Sequence, residues 1–175
     1  MSNRLRILFL GGKQAGLIGL LTAIAADCHI QSVVTNSKVI TDMTLRLNLP
    51  TYRSVKQDEV LSLLPVTDLI ISVHSREIVP TEILSAVRLG GINVHPCLKE
   101  YKGKDPIQRF LGGNSSAASV GVHRMTEDID MGETLHETFV GIDKKDCCTP
   151  ADVYNILYPI YSLVLFDILR GFQNA

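Results

Sequence analysis

The run Gly91-Ile92-Asn93-Val94-His95-Pro96 sets an amide and an imidazole two residues apart, where a short apolar segment meets a proline. In an extended strand residues i and i+2 project to the same side, so Asn93 and His95 are expected to face one space. An amide donor beside an imidazole that titrates near neutral pH can hold a developing oxyanion, which any attack on a carbonyl carbon requires. Taken in isolation, the same pair reads as a strand-end histidine bonded to backbone beside a turn asparagine, and the spacing leaves both readings open. Cys97 follows His95 by two positions and adds a thiol that an imidazole could activate. Neighbours in sequence need not point at each other, so direct attack without a cysteine intermediate is preferred. His29, His74, His123 and His136 share no ligand spacing, and Cys28, Cys97, Cys147 and Cys148 form neither a metal pattern nor a C-x-x-C motif. No metal is expected, and the thiols read as reduced and structural.

Such groups work only when a scaffold aims them, and here short apolar runs alternate with helix-period segments in the manner of βαβ units. Leu5–Leu10 reads as a buried first strand, turned at Gly11-Gly12 into a helix with Leu17, Leu20, Leu21 and Ile24 on one face. Ile30–Thr35 reads as a second strand, Val39–Leu47 and Val55–Leu64 as helices, and Leu69–Val73 as a central buried strand. Pro80 opens a helix over Glu82–Arg88; Gly90-Gly91 ends it and admits the strand Ile92–Val94, which Pro96 stops. A long loop is expected next, then strands over Ser119–Met125 and Glu133–Val140 forming an antiparallel edge. Thr149 should cap a last helix beginning at Pro150, with Asp152 three residues on. Val153, Ile156, Leu157, Ile160 and Val164 would face inward, and Pro159 would kink the helix. The expected class is α/β: one Rossmann-like, doubly wound domain over residues 1–175, with a mainly parallel sheet, helices on both faces and an antiparallel edge.

Composition narrows the partners. A chain of 175 residues, 46% hydrophobic, can bury one core. Seventeen basic against eighteen acidic residues leave a formal charge of -1 with no basic stripe, so no nucleic acid is expected. The polar Met1–Arg6 start runs into only four apolar residues, too few for a membrane span, and a cytoplasmic protein is expected.

The Asn93–Pro96 run, the loop Tyr101-Lys102-Gly103-Lys104-Asp105-Pro106-Ile107 and an aspartate 35 positions after His95 together resemble the formyltransferase family. That family includes glycinamide ribonucleotide formyltransferase, the catalytic domain of methionyl-tRNA formyltransferase and the sugar N-formyltransferases, and the resemblance covers nearly the whole chain. It implies transfer of a formyl group from 10-formyltetrahydrofolate to an amine, with Asn93, His95 and Asp130 catalytic. Asp130 is chosen over Glu127 and Asp128 because the D-x-G spacing to Gly132 matches the family. The resemblance further implies that a carboxylate at this place favours a charged His95 and helps remove the amine proton. It also places the folate against Arg76, Glu77 and Ile78 after the central strand and against Thr126, Glu127 and Ile129 before Asp130, largely through backbone groups. Ile78 and Val79 read equally well as core, and His74 either borders the folate or is structural.

The first turn, Gly11, Gly12 and Lys13, lies where a helix N-terminus could hold an anion of the acceptor. A simple glycine turn explains it as well. It is neither G-x-G-x-x-G nor a P-loop, and Asn36 stands where a dinucleotide ribose would want an acid, which argues against a Rossmann oxidoreductase. The expected partners are a small-molecule amine acceptor and a second copy in a homodimer. Because no acidic residue around Tyr154–Pro159 matches that of glycinamide ribonucleotide formyltransferase, an amino sugar or sugar nucleotide is favoured as acceptor. Glycinamide ribonucleotide, hydrolysis of the folate, or folate binding without turnover stand as alternatives. No tRNA-binding or regulatory domain is expected on either side.

Overall fold

The computed structural model describes residues 4–174, so the first three residues of the polar Met1–Arg6 start lie outside the described part. Two strands whose side chains are apolar on both faces form the centre: β1 (Arg6–Gly11) and β4 (Leu69–Val73), paired in parallel from Ile7–Leu69 to Gly11–Val73. Such runs are stable only when helices cover both faces of the sheet. Outward on one side lie β2 (His29–Val34) and β3 (Thr51–Tyr52), and on the other β5 (Gly91–Pro96), β6 (Ala117–Arg124) and β7 (Thr134–Gly141), in the order β3-β2-β1-β4-β5-β6-β7. The first five strands in that order run parallel, and β6 and β7 are antiparallel, as expected of the edge.

The two faces carry separate cores. One joins Ile7, Phe9, Ile71 and Val73 to helices α1 (Lys13–Ala25) and α6 (Pro150–Asn174); the other joins Leu8, Leu10 and Ile70 to Val60, Ile83 and Leu84. The latter three belong to the short helices α3 (Asp58–Leu61) and α4 (Thr81–Ser85), and α2 (Lys38–Arg46) packs beside α1. Thr149 and Asp152 cap α6 reciprocally: Thr149 N–H donates to Asp152 Oδ2 at 2.8 Å, and Asp152 N–H to Thr149 Oγ1 at 3.3 Å. By length and hydropathy α6 could cross a membrane, but Val153, Leu157, Tyr161, Val164, Leu165 and Leu169 are buried within the fold.

Several elements differ from expectation. The segment read as a long loop contains α5 (Pro106–Gly112), whose Ile107 and Phe110 are buried; a seven-residue helix is too short to show a period. The helix expected over Val55–Leu64 contracts to α3 and a single tight turn at Leu64–Val66, and the helix read over Glu82–Arg88 is Thr81–Ser85. β3, two residues long, had no alternation to reveal it. In α1 the inward face is built of Ala15, Gly16, Leu17, Gly19, Leu20 and Ala23, leaving Leu21 and Ile24 exposed, because close approach to the sheet selects small residues. In α6 Tyr161 takes an inward place, while Ile156 is exposed and Ile160 only partly covered. Pro159, expected to kink this helix, lies inside its continuous span.

Candidate active site

β5 ends at the carboxyl side of the sheet, next to β4 and two strands from β1, where the strand order reverses. Openings for ligands form at this reversal in open α/β sheets. Alternation along β5 sends Ile92 and Val94 into the core and leaves Asn93 and His95 partly buried on the same side. The antiparallel register sets His123 of β6 directly opposite Asn93. After β6 the chain returns through Thr126–Gly132 and lowers the Asp130 carboxylate between these side chains, leaving it 6% exposed. Asn93 Nδ2 donates to Asp130 Oδ1 at 3.2 Å, and His123 Nε2 lies 3.2 Å from the same oxygen. The other oxygen, Oδ2, accepts the Gly103 N–H at 2.9 Å and lies 3.2 Å from His95 Nε2.

Proton positions follow from these partners. His95 Nε2 faces only acceptors, the Gly103 carbonyl at 3.2 Å and Asp130, so it carries the hydrogen. His95 Nδ1 is then bare, buried and without a hydrogen-bond partner among the described residues. His123 Nδ1 lies 2.8 Å from the Arg124 carbonyl and donates to it, which leaves Nε2 to accept from Asn93 in the neutral ring or to pair with Asp130 in the charged one. Burial raises the Asp130 carboxyl, but the His123 hydrogen bond, the His95 charge and the Gly103 N–H outweigh it and hold it at about 2. At His95 burial wins over Asp130 and the Gly103 carbonyl, so the imidazole lies below its ordinary value. The group expected to be charged in the resting site is therefore neutral at pH 7, beside an ionised carboxylate.

Local backbone explains the convergence. Asp130 has φ 56, the left-handed region that aspartate tolerates better than most residues. Two residues on, a Cβ at Gly132 would overlap the Arg124 carbonyl oxygen, so only glycine lets the returning loop lie this close to β6. Arg109 of α5 donates to the carbonyls of Tyr101 and Lys102, holding the loop whose next residue, Gly103, bridges His95 and Asp130. Glu127 and Asp128 lie exposed on the same loop. Of these contributors His123 and Gly103 were not singled out as site residues from sequence; the register of β6 against β5, needed to find His123, is invisible without the paired strand.

Gly11, Gly12 and Lys13 line a crevice of about 320 Å³ together with Thr35, Ser37, His74, Arg76 and Glu77. Asn93 and His95 are not in its lining. Two residues assigned to the folate, Arg76 and Glu77, thus share a crevice with the three assigned to the acceptor. Glu77 Oε1 accepts from Ser54 Oγ at 2.7 Å and Val55 N–H at 3.0 Å, so its side chain braces the neighbouring loop. Thr126 Oγ1 likewise donates to the Asp128 carbonyl. Ile78 and Ile129 are 68% and 64% exposed, two apolar side chains left in solvent on the two segments read as folate-facing, whereas Val79 is core. A Cβ on Gly12 would overlap the His74 carbonyl oxygen, which fixes the first turn against the end of β4.

The residue pattern of the formyl transferase family matches positions 7–156. The chain belongs to that family. It is 28% identical over 180 residues to the methionyl-tRNA formyltransferase of Lactobacillus delbrueckii subsp. bulgaricus, covering 93% of this chain and 56% of that protein. It is also 28% identical over 192 residues to the methionyl-tRNA formyltransferase of Pseudoalteromonas translucida, covering 100% and 59% respectively. The chain therefore spans less than two thirds of the length of these curated relatives. Among solved structures, a formyltetrahydrofolate deformylase from Pseudomonas syringae superposes with a TM-score of 0.82 at 20% identity, over 99% of this chain and 62% of the other. Glycinamide ribonucleotide transformylase 1 from Symbiobacterium toebii superposes at 0.81 with 16% identity, over 99% and 90%. At these identities the likeness is one of fold, the Rossmann-like α/β class expected from sequence. The names of the relatives differ in what they act on, so membership of the formyl transferase family leaves the acceptor unassigned.

Proposed function

We propose that residues 1–175 act as a formyltransferase catalytic domain, moving a formyl group from 10-formyltetrahydrofolate to the amine of a small acceptor, with Asn93, His95 and Asp130 as catalytic residues. The observation that carries this reading is the buried Asp130 carboxylate held by Asn93 on one oxygen and by His95 and Gly103 on the other. The acceptor nitrogen attacks the formyl carbon, the carbonyl electron pair moves to oxygen, and the bond from carbon to N10 of the folate then breaks. The proton lost by the amine ends on N10. His95 takes part through its unpartnered Nδ1: on gaining a proton there the ring becomes an imidazolium whose charge stabilises the oxyanion, while Asp130 holds Nε2. Asn93 holds the other Asp130 oxygen, and when His123 is charged and pairs with Asp130 itself, the second Asn93 N–H is free for the same space. The folate is placed against the backbone of residues 75–79 and 126–130, with Ile78 and Ile129 covering its ring.

The acceptor is an amine on a sugar or sugar nucleotide that enters by way of the crevice at Gly11, Gly12 and Lys13. The reaction takes place in the cytoplasm, in keeping with four cysteines that are all free thiols. A screen of small amines with 10-formyltetrahydrofolate, following the N-formyl product and folate release, tests the reading. No product, no folate release and no binding of a stable folate analogue would end it; folate release without a formylated amine would assign hydrolysis instead.

Two substitutions belong with this proposal. Lys13 is exposed on the crevice, and if the acceptor carries a phosphate or carboxylate, Lys13→Ala raises its Michaelis constant by roughly three- to thirtyfold with little change in folate affinity. Identical acceptor kinetics would return Lys13 to the role of a solvated surface residue. Cys97 is buried, and burial pushes its thiol up, so it holds its proton at neutral pH. Cys97→Ser should therefore keep most activity, whereas a formyl mass added to the intact protein and lost in that variant would show a thioester route.

A further inference from the structure

Gly103 serves both His95 and Asp130: its N–H donates to Asp130 Oδ2 at 2.9 Å, and its carbonyl lies 3.2 Å from His95 Nε2. It has φ 82, and a Cβ there would meet nothing within 4 Å, so conformation, not space, calls for glycine. A residue with this freedom stays aimed only if its neighbours are fixed. The Gly103 N–H belongs to the same planar peptide as the Lys102 carbonyl, and in a trans peptide the two point in opposite directions. Arg109 Nη2 donates to that carbonyl and, at 2.7 Å, to the Tyr101 carbonyl. One rigid peptide thus lies between a guanidinium and a carboxylate, and the cation polarises the N–H toward Asp130.

Arg109 is itself anchored. It stands on α5, which begins after Asp105, at left-handed φ 52, and carries a proline in its first turn. At the other end Lys144, on the segment after β7, donates to the Phe110 carbonyl at 2.6 Å and the Gly113 carbonyl at 2.7 Å, with its ammonium 4.5 Å from the centre of the Phe110 ring. Tyr101 meets Phe110 edge-on at 6.3 Å and carries the Arg109 guanidinium 5.9 Å above its own ring. Neither Arg109 nor Lys144 forms a salt bridge among the described residues; each spends its charge on two backbone carbonyls. Ile107 and Phe110 tie α5 to the core, whereas Arg109 is exposed and its side-chain bonds end on the two peptides before Gly103.

We infer that Arg109 is a positioning residue for His95 and Asp130: by holding the Lys102 carbonyl it keeps the N–H of the same peptide on Asp130 and the next carbonyl on His95. The inference rests on the proposed roles of His95 and Asp130.

Arg109→Ala and Arg109→Lys in the full chain test it through formyl-transfer kinetics, amide hydrogen exchange at Gly103 and an NMR titration of His95. Arg109→Ala should lower kcat about ten- to hundredfold, with the Michaelis constants of folate and acceptor within about twofold. Exchange of the Gly103 amide should quicken about tenfold or more at a nearly unchanged unfolding midpoint. Both bonds leave from Nη2, so an ammonium with three donors can serve the same carbonyls, and Arg109→Lys should keep kcat within about threefold. The sign at His95 separates positioning from charge. Removing a cation would by charge alone raise the imidazole, whereas losing the Gly103 carbonyl from Nε2–H, with Asp130 and His123 retained, lowers it; lowering is the expected result. Lys144→Ala, which loosens α5 without touching the Tyr101–Gly103 loop, should show the same changes in smaller measure and serves if Arg109→Ala proves too unstable to compare. Unchanged kcat and Gly103 exchange in Arg109→Ala, a rise at His95, or no recovery in Arg109→Lys each overturns the inference. Exchange and titration need no turnover, so they decide it even if the wild type transferred no formyl group, the result that would count against the formyltransferase reading.

Discussion

His95→Ala is expected to lower formyl transfer by about a hundredfold or more, equivalent to at least about 2.7 kcal/mol of transition-state stabilisation, and Asp130→Asn by a similar factor. The effect is large because, in the proposed mechanism, His95 and Asp130 act as a unit. Without the imidazole no group replaces the bare Nδ1, and without the carboxylate an imidazolium in this buried place has no counter-charge. The fold should survive both changes, since His95 lies near a strand end and Asp130 on a loop, both outside the two cores; unfolding midpoints and binding of a stable folate analogue check this. The pH profile carries the sign. Burial places His95 below the ordinary histidine value, and the resting ring must be neutral to take the proton, so kcat/KM should stay level down to about 6.5 and fall only at lower pH. Near-wild-type turnover in either variant would remove these residues from the mechanism. An acid limb above the ordinary value would show instead that Asp130 dominates and the resting ring is charged.

Gly132→Ala is expected to reduce both stability and activity, although Gly132 touches no reacting group. The added Cβ would overlap the Arg124 carbonyl, a backbone atom held in the β6 ladder, where Arg124 N–H also donates to the Glu133 carbonyl at 2.8 Å. The loop must lift, at a cost of about 1–3 kcal/mol as in other overpacked sites. Asp130 lies two residues away and would move with it. A displacement of about 1 Å in a reacting constellation can cost on the order of a hundredfold in rate, so a loss of tenfold or more is expected. Gly141→Ala is the control, since a Cβ there meets nothing within 4 Å and stability should change by no more than about 0.5 kcal/mol. Equal stability and turnover for wild type and Gly132→Ala would show that the glycine is incidental to Asp130.

Much of this protein was determined by sequence alone, and the reasons are local. The buried strands around Phe9 and Ile71 are continuous apolar runs, which only a sheet covered on both faces accommodates, and the Thr149–Asp152 cap is a four-residue interaction. Asn93 and His95 were legible as a pair because strand alternation has a period of two. Asp130 was found by resemblance, through its spacing to Gly132, and chain chemistry by itself did not distinguish it from Asp128. Tertiary structure decided what depends on partners distant in sequence. The pairing of β5 with β6 brought His123 to Asn93, the path of the α5 loop put the Gly103 peptide between His95 and Asp130, and the packing of α6 set Tyr161 against His74. The charge of His95 was decided there too. Beside a carboxylate the sequence argued for an imidazolium, but the balance turns on how much water burial removes, and burial is a property of the whole fold.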